Sequence, residues 1–234
     1  MAKALGIIPA RYNSSRFPGK PLAPLNGKPM LQHVYEAARR AARLHEVWVA
    51  TDDERIADAV RRFGGRVVMT SPSHQSGTDR VAEAAEAVDA EIIVNIQGDQ
   101  PLIAPEALDA LVAAFDTDAD LEMATLYEPI AAAGDLNDPN VAKVVIDGHG
   151  NALYFSRGPI PGFKHVGVYA FRKPFLMEFA RMGPSPLEKL EKLEQLRVLE
   201  SGRRIRMIRS SGSSISVETP ADIGKIEAML AMTQ

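Results

Sequence analysis

Short apolar runs alternate with amphipathic stretches through the first half of the chain, and this alternation constrains the fold more than any other feature. The apolar runs predict strands at residues 4–8, 47–50, 67–69 and 92–96. Apolar side chains at helical spacing predict helices at residues 30–44, 54–64, 79–88 and 105–115. Strands that are joined through helices run parallel and are covered on both faces. The first half therefore predicts an α/β fold with a mainly parallel sheet and helices on both faces.

The second half of the chain changes character. Strands are predicted at residues 123–127, 142–146, 153–156 and 166–171, with turn sequences between them. This spacing is typical of antiparallel additions, or of a small flap on the sheet. The remaining elements are predicted as helices at 174–182 and 186–199, a strand at 205–208 and a last helix at 220–232. Since no linker or repeat interrupts the chain, we expect a single domain over residues 1–234, with the flap at about 123–172.

Composition and charge exclude several classes of protein. With 46% hydrophobic residues and a formal net charge of −3, the chain is neither disordered nor basic overall, and we expect no nucleic-acid partner. The absence of cysteine excludes a disulfide framework and a thiolate nucleophile, and the five histidines lack the spacing of zinc ligands. No apolar run approaches the roughly 18 residues that cross a bilayer. We therefore expect a cytoplasmic protein without membrane insertion.

A basic loop follows the first predicted strand. Arg11, Arg16 and Lys20 lie within ten residues of one another, among small and polar residues. Ligands of open parallel sheets bind beyond the carboxyl ends of the strands, and such a loop can wrap a triphosphate. It is not a Walker A loop, because Pro21 follows Lys20 where Ser or Thr is required. The alternative is a basic surface loop that faces water.

Asp99 follows the fourth predicted strand at the same edge of the sheet. Gly98 lets the backbone approach a ligand closely, and a carboxylate in this place can hold Mg²⁺ against phosphate oxygens. The alternative is an aspartate that only forms a turn.

Residues 74–80 carry small and hydroxyl side chains in front of the third predicted helix. Their hydrogen-bonding groups suit the recognition of a planar base. The alternative is a capped helix start with Thr78 or Asp79 as the N-cap, and both interpretations can hold together.

The remaining polar candidates lie in the second half. His165 and Tyr169 are four residues apart on a predicted strand, so their side chains point to the same face. Leucines recur every third residue from 187 to 199 and predict the buried stripe of one helix, which also carries Glu194, Gln195 and Arg197. The charged residues between these leucines are predicted to form a solvated face, to which Glu194 can also belong: Glu188, Lys189, Glu191 and Lys192.

The basic loop is also the strongest resemblance to a known family. Ile7-Ile-Pro-Ala-Arg-Tyr-x-Ser-Ser-Arg-Phe-Pro-Gly-Lys-Pro-Leu22 resembles the signature loop of the sugar-activating cytidylyltransferases, and more narrowly the family of 3-deoxy-manno-octulosonate (KDO) cytidylyltransferases. Further matches follow in order along nearly the whole chain: Asn26-Gly-Lys-Pro-Met30, Val49-Ala-Thr-Asp52, Met69-Thr70, His74-Gln-Ser-Gly-Thr-Asp-Arg80, Val94-Asn-Ile-Gln-Gly-Asp99, Ala152-Leu-Tyr-Phe-Ser-Arg157, Pro184-Ser-Pro-Leu-Glu188 and Leu193-Glu-Gln-Leu-Arg-Val-Leu199. The ordered set is far more specific than any one of these motifs.

This resemblance implies a fold, a reaction and partners. The fold is that of the nucleotide-diphospho-sugar transferases, with a Rossmann-like sheet. The reaction is the Mg²⁺-dependent transfer of CMP from CTP to KDO with release of pyrophosphate, which serves lipopolysaccharide biosynthesis. The family also implies a homodimer, in which the flap region takes part in dimerisation.

The resemblance assigns residues to each part of the reaction. The residues implied in catalysis are Arg11, Arg16, Lys20 and Asp99. Those implied in binding CTP are Ala10, Arg11, Ser15, Arg16, Lys20, His74, Gln75, Ser76, Gly77, Arg80 and Gln97. Those that would face the sugar acid are His165, Tyr169, Glu194 and Gln195, and those that would bind the metal are Asp99 and Glu218.

The sequence departs from the family pattern in three places. Glu218 and Gln100 stand where the family has an aspartate and a glutamate, and the connection over residues 158–164 is shorter than usual. Two alternatives to KDO activation therefore stay open. One is the same chemistry on another ulosonic acid, such as a sialic-acid-like sugar or an amino analogue; the other is a catalytically silent CTP-binding protein.

Overall fold

A computed structural model of the protein describes residues 2–13, 17–130, 133–212 and 215–232. Its strands are β1 (Ala4–Ala10), β2 (Pro24–Leu25), β3 (Lys28–Pro29), β4 (Leu44–Thr51), β5 (Arg66–Met69), β6 (Ile92–Asn95), β7 (Met123–Glu128), β8 (Lys143–Ile146), β9 (Ala152–Ser156), β10 (Phe163–Arg172) and β11 (Arg206–Arg209). Its α-helices are α1 (Met30–Arg39), α2 (Glu54–Arg62), α3 (Gly77–Glu86), α4 (Pro105–Thr117), α5 (Lys173–Arg181), α6 (Pro186–Glu191), α7 (Leu196–Glu200) and α8 (Ile223–Met232).

One large sheet forms the centre of the molecule, with strands in the order β11-β7-β10-β6-β1-β4-β5. Strand β1 runs parallel to both β4 and β6, β5 is parallel to β4, and β11 is parallel to β7. Strand β10 is antiparallel to both of its neighbours, β6 and β7. The predicted α/β fold with a mainly parallel sheet is confirmed.

Helices cover both faces of this sheet. Ile7 and Ile8 are adjacent in β1, so their side chains point to opposite faces. Both are fully buried, and they belong to separate apolar clusters. Ile8 packs in the cluster that includes Leu31 of α1 and Leu108 of α4, whereas Ile7 packs in the one that includes Val81 of α3. Two hydrophobic layers therefore hold the sheet, as an α/β fold requires.

The antiparallel addition is smaller than the flap predicted over residues 123–172. Strands β7 and β10 are members of the central sheet, whereas β8 and β9 lie off its main path, with β8 paired to β9 and to the start of β10. Spacing between turns could not separate these cases, because a strand in the middle of a sheet and one in a flap share the same local pattern.

The helix predicted over residues 186–199 is two short helices, α6 and α7. Lys192 ends α6 in the left-handed conformation, with φ of 55°. Leu190 is consequently 75% exposed and not part of the buried stripe, while Leu196 is fully buried. The Glu188 carboxylate receives two hydrogen bonds from Arg197, of 2.6 and 2.8 Å, so this glutamate does not belong to a solvated face.

In the described part of the chain, every helix is too short or too polar to cross a membrane.

Candidate active site

The loops that follow β1 and β6 meet at one edge of the sheet, because these two strands are parallel neighbours. They enclose a cavity of about 370 Å³, here called the basic cavity. Its lining residues are Pro9, Ala10, Arg11, Asn13, Lys20, Pro21, Gly77, Gln97, Gly98 and Asp99. Lys20 Nζ donates to Asp99 Oδ2 at 2.7 Å and to the carbonyl oxygen of Val217 at 3.0 Å. The basic loop and Asp99 thus lie at the same edge of the sheet, and the C-terminal segment supplies a second contact to Lys20.

Arg11 joins the basic loop to the segment before α3. Its Nη2 donates to the carbonyl oxygens of His74 and Ser76, at 2.7 and 2.8 Å. Partial burial, and then the positive charge of Arg80, lower the pKa of the Arg11 guanidinium from its ordinary value. A group with so high an ordinary pKa stays charged, so the cavity keeps a cation at this position.

The start of α3 differs from the sequence prediction in its cap. Ser76, not Thr78 or Asp79, is the N-cap: its hydroxyl accepts from the Asp79 backbone N–H at 3.0 Å, and the Asp79 carboxylate accepts from the Ser76 N–H at 3.0 Å. Gly77 lines the basic cavity, whereas the His74 ring is hydrogen-bonded to Glu83 and Gln75 is exposed. The segment therefore reaches the cavity through its backbone at Gly77.

Arg80, which the resemblance places against CTP, is fully buried and has no surface in the cavity. Its Nη1 donates to the Thr70 hydroxyl, and its Nη2 lies 3.1 Å from Asp52 Oδ2. The position of Arg80 corrects that prediction, because its guanidinium lies behind the loop as a buried charge. The sequence could not show this, since Asp52 is distant along the chain.

A second cavity, of about 460 Å³, opens beside the basic cavity. Its lining residues are Gln97, Asp99, Gln100, Asp138, Asn140, Val141, Ala142, Arg157, Lys164, His165, Val166, Gly167, Tyr169, Leu193, Ile215, Ser216 and Glu218. Gln97 and Asp99 line both cavities. Two ligands bound side by side would therefore meet at Asp99.

His165 and Tyr169 share a face of β10, as predicted, and both line the second cavity. His165 Nδ1 lies 3.4 Å from the Gln195 amide nitrogen, and its Nε2 lies 3.0 Å from the Thr125 hydroxyl. Burial lowers the pKa of His165 to about 3, and the charge of Arg157 acts in the same direction. The ring is therefore neutral at ordinary pH, accepting from Gln195 at Nδ1 and donating from Nε2.

Glu194 and Gln195 were predicted to face the sugar, but in the described part of the chain neither lines the second cavity. Gln195 is buried behind the wall, where its amide oxygen accepts from the Tyr169 hydroxyl at 3.2 Å. Glu194 accepts from the Thr78 hydroxyl, and burial raises the pKa of its carboxyl. These two residues hold the wall in place, and the structure corrects the prediction of direct contact.

Asp99 and Glu218 bring two carboxylates to the second cavity. The C-terminal segment is held beside Asp99 by a hydrogen bond from the Val217 backbone N–H to the Asp99 carbonyl oxygen, of 2.9 Å. Among the described residues, no group of three acidic or histidine side chains could hold a metal without help. A pair of carboxylates nevertheless fits Mg²⁺, which proteins bind through one or two carboxylates together with substrate phosphates.

Comparison with known proteins decides the family. The model of the family described as Cytidylyltransferase matches residues 5–205, which include both loops of the basic cavity. The chain belongs to the cytidylyltransferase family. It is accordingly a nucleotidyltransferase, and the recognition of the family from the basic loop is confirmed.

Individual cytidylyltransferases are similar over the whole chain. The 3-deoxy-manno-octulosonate cytidylyltransferase of Geobacter metallireducens is 53% identical, with 99% of each chain covered. The 8-amino-3,8-dideoxy-manno-octulosonate cytidylyltransferase of Shewanella frigidimarina is 51% identical, with 97% of this chain and 98% of that protein covered. Among solved structures, CMP:2-keto-3-deoxy-manno-octonic acid synthetase complexed with CTP is 44% identical, with a TM-score of 0.95 and 100% of each chain covered.

Three residues of this cytidylyltransferase site were not predicted from the sequence, and two residues that were predicted are not described by the structure. Ser15 and Arg16 lie outside the described residues. Arg157 and Lys164 bring positive charge to the second cavity, and Thr125 orients His165. Arg157 had a signal, since it ends one of the family-like motifs; the others look like ordinary strand residues.

Proposed function

We propose that the protein transfers CMP from CTP to the anomeric hydroxyl of KDO, giving CMP-KDO and pyrophosphate. The observation that carries this proposal is the pair of adjoining cavities that share Gln97 and Asp99. A nucleotide in the basic cavity and a sugar acid in the second would place their reacting groups beside Asp99. The names of the similar proteins supply the two substrates.

The basic cavity suits CTP. Arg11 and Lys20 carry positive charge to its lining, and guanidinium and ammonium groups bind phosphate oxygens strongly. Lys20 is held by Asp99 and by a backbone carbonyl in the structure, with its side chain only 16% exposed. Its ammonium is therefore positioned before the triphosphate arrives.

The second cavity suits an anionic sugar. Arg157 and Lys164 offer cations to the carboxylate of an ulosonic acid, and Asn140 and Gln100 offer hydrogen-bonding groups to its hydroxyls. His165 stays neutral, so it adds no charge to this wall.

In the proposed reaction, the anomeric oxygen of the sugar attacks the α-phosphorus of CTP. A P–O bond forms, the bond from the α-phosphorus to the bridging oxygen of pyrophosphate breaks, and the hydroxyl proton passes to solvent. Arg11 and Lys20 stabilise the charge on the departing pyrophosphate. No side-chain general base is assigned, because both ring nitrogens of His165 are engaged by Gln195 and Thr125.

We further propose that Asp99 and Glu218 hold Mg²⁺. When bound, this ion polarises the α-phosphate and neutralises phosphate charge. Glu218 is one methylene longer than the family's aspartate, but carboxylates of either length bind this hard cation.

The amino analogue of KDO is a second candidate substrate. The Shewanella frigidimarina enzyme named for that sugar is almost as similar as the enzyme named for KDO. Asp138 also places a carboxylate in the lining of the second cavity, where it can bind an ammonium group.

Pyrophosphate release with CTP and Mg²⁺ tests the proposal, with KDO, its 8-amino analogue or a sialic acid added in parallel reactions. Controls omit the sugar or add EDTA. Release with KDO that EDTA abolishes supports the reaction and the metal together; preference for another sugar changes the substrate. Binding of CTP without release by any sugar would contradict the proposal and favour a silent CTP-binding protein.

A homodimer, a cytoplasmic location and a role in lipopolysaccharide biosynthesis belong to the same proposal. Light scattering on the purified protein tests the first of these, since a monomer at assay concentration would contradict it.

A further inference from the structure

Lys143, at the start of β8, is a fully buried cation whose hydrogen bonds within the described part of the chain all go to backbone carbonyl groups. Its ammonium donates to the backbone carbonyl oxygens of Asp138 at 2.9 Å, Val141 at 2.8 Å and Arg157 at 2.8 Å. A lysine ammonium has three N–H donors, so these bonds use all of them. A buried charge is costly unless its hydrogen bonds are complete, and here they are complete.

The three acceptors of Lys143 surround the second cavity. Asp138, Val141 and Arg157 all line it, whereas Lys143 lies behind them. Lys143 also pairs with Ser156 of β9 and with Lys164 of β10 in the strand register. One side chain thus joins the segment 138–142 to the end of β9 across the back of the cavity wall.

Arg157 is held from its other side by Glu191. The Arg157 backbone N–H donates to the Glu191 carboxylate at 2.8 Å, and its Nε donates to the Glu191 carbonyl at 3.1 Å. Its Nη1 donates to the carbonyl of Pro139 at 3.0 Å, which ties the guanidinium to the same segment that Lys143 binds. Its Nη2 donates to the Lys192 carbonyl at 3.5 Å, so the place of this guanidinium depends on residues 138–142 together with the end of α6.

We propose that Lys143 is a positioning residue for the sugar acid, which it serves by fixing residues 138–142 and Arg157 around the second cavity. This inference rests on the proposed function, because it assigns the second cavity to the sugar. Removal of the ammonium leaves the half-buried carbonyl groups of Val141 and Arg157 without this donor, while that of Asp138 keeps only the Val141 N–H at 3.1 Å. A desolvated acceptor without a donor is unfavourable, so we expect the segment to move. The basic cavity contains none of these residues in the described part of the chain, so CTP binding is spared.

The test compares Lys143→Met with Lys173→Met. Lys173 is the matched control, because its Nζ also donates to a backbone carbonyl, that of Val88, at 2.6 Å. In the described part of the chain, Lys173 does not line either cavity. For Lys143→Met we expect at least a tenfold rise of KM for the sugar acid, with KM for CTP changed less than twofold. For Lys173→Met we expect a lower Tm and unchanged KM values for both substrates.

Amide hydrogen exchange provides a readout that does not depend on the sugar. Lys143→Met is expected to speed exchange at residues 138–142 while leaving exchange in β1 and β6 unchanged. If Lys143→Met does not fold, Lys143→Gln, which keeps two N–H donors, replaces it and should give a smaller rise of KM. A wild-type protein that turns over no ulosonic acid would refute the proposed function, whereas unchanged exchange at 138–142 would overturn the role of Lys143. Equal increases of KM for both substrates would also overturn it, since that result indicates a general loss of structure.

Discussion

Lys20 and Asp99 form an ion pair of 2.7 Å at the boundary between the two cavities. The carboxylate that would help to bind Mg²⁺ therefore also holds the cation that would contact the triphosphate. Lys20 also donates to the Val217 carbonyl at 3.0 Å. This second hydrogen bond would keep Lys20 in place when Asp99 releases it to bind the metal.

Asp99→Asn is expected to lower kcat by at least about 10²-fold, the scale reported for loss of one preorganised electrostatic contact. The reason is that the amide cannot bind the metal as a carboxylate does, while the Lys20–Val217 contact survives. Pyrophosphate release measures the change. Asp89→Asn is the control, because that side chain is 98% exposed; wild-type activity in Asp99→Asn would contradict the metal assignment.

Glu218→Asp is expected to retain or increase activity, because it restores the shorter side chain, an aspartate, of the family pattern. Glu218→Gln removes the charge and should raise the Mg²⁺ concentration needed for half-maximal rate. Magnesium titrations of the two variants and the wild type measure this difference. A folded but inactive Glu218→Asp protein would show that the site depends on the longer side chain.

His165 should make the protein less stable in acid. Its pKa is lowered to about 3 in the folded state, chiefly by burial, so the unfolded chain takes up the proton first. The stability that neutral His165 contributes is fully present above about pH 6.5 and declines towards pH 3, by up to about 1.4 kcal/mol per pH unit. Urea unfolding at pH 7 and pH 4.5 should show a smaller pH effect for His165→Gln than for the wild type. An equal pH effect in both proteins would mean that His165 takes up its proton without unfolding.

Arg157→Gln should raise KM for the sugar acid by about 10- to 100-fold, equivalent to one charged hydrogen bond of about 1.5–3 kcal/mol. KM for CTP should stay within about twofold, because Arg157 lines the second cavity and not the basic one. Arg204→Gln serves as the control, since that side chain is 44% exposed in a surface ion pair with Asp118. An increase in KM for CTP alone would reverse the assignment of the two cavities.

The sequence predicts the sheet well because each central strand is a short apolar run bounded by helix signals. Periodicity fails at residues 186–199, where the left-handed Lys192 and the Glu188–Arg197 pair break one helix into two. The resemblance places Arg80 at the ligand, whereas Thr70 and Asp52 hold its guanidinium in the interior. No role was predicted from the sequence for Lys143, which three backbone carbonyl groups hold. In each case a tertiary contact decides where the charge lies, and the local sequence pattern does not show that contact.

Strand β10 runs against its neighbours, so it delivers its beginning, not its end, to the edge where β1 and β6 finish. The wall of the second cavity is thus attached to the connection that leads into β10. The basic cavity is formed by the loops that follow β1 and β6. A change of length in the 158–164 connection would therefore alter the wall of the second cavity without moving the loops that form the basic cavity. If the second cavity binds the acceptor sugar as proposed, this arrangement would let the acceptor change while the nucleotide site keeps its structure.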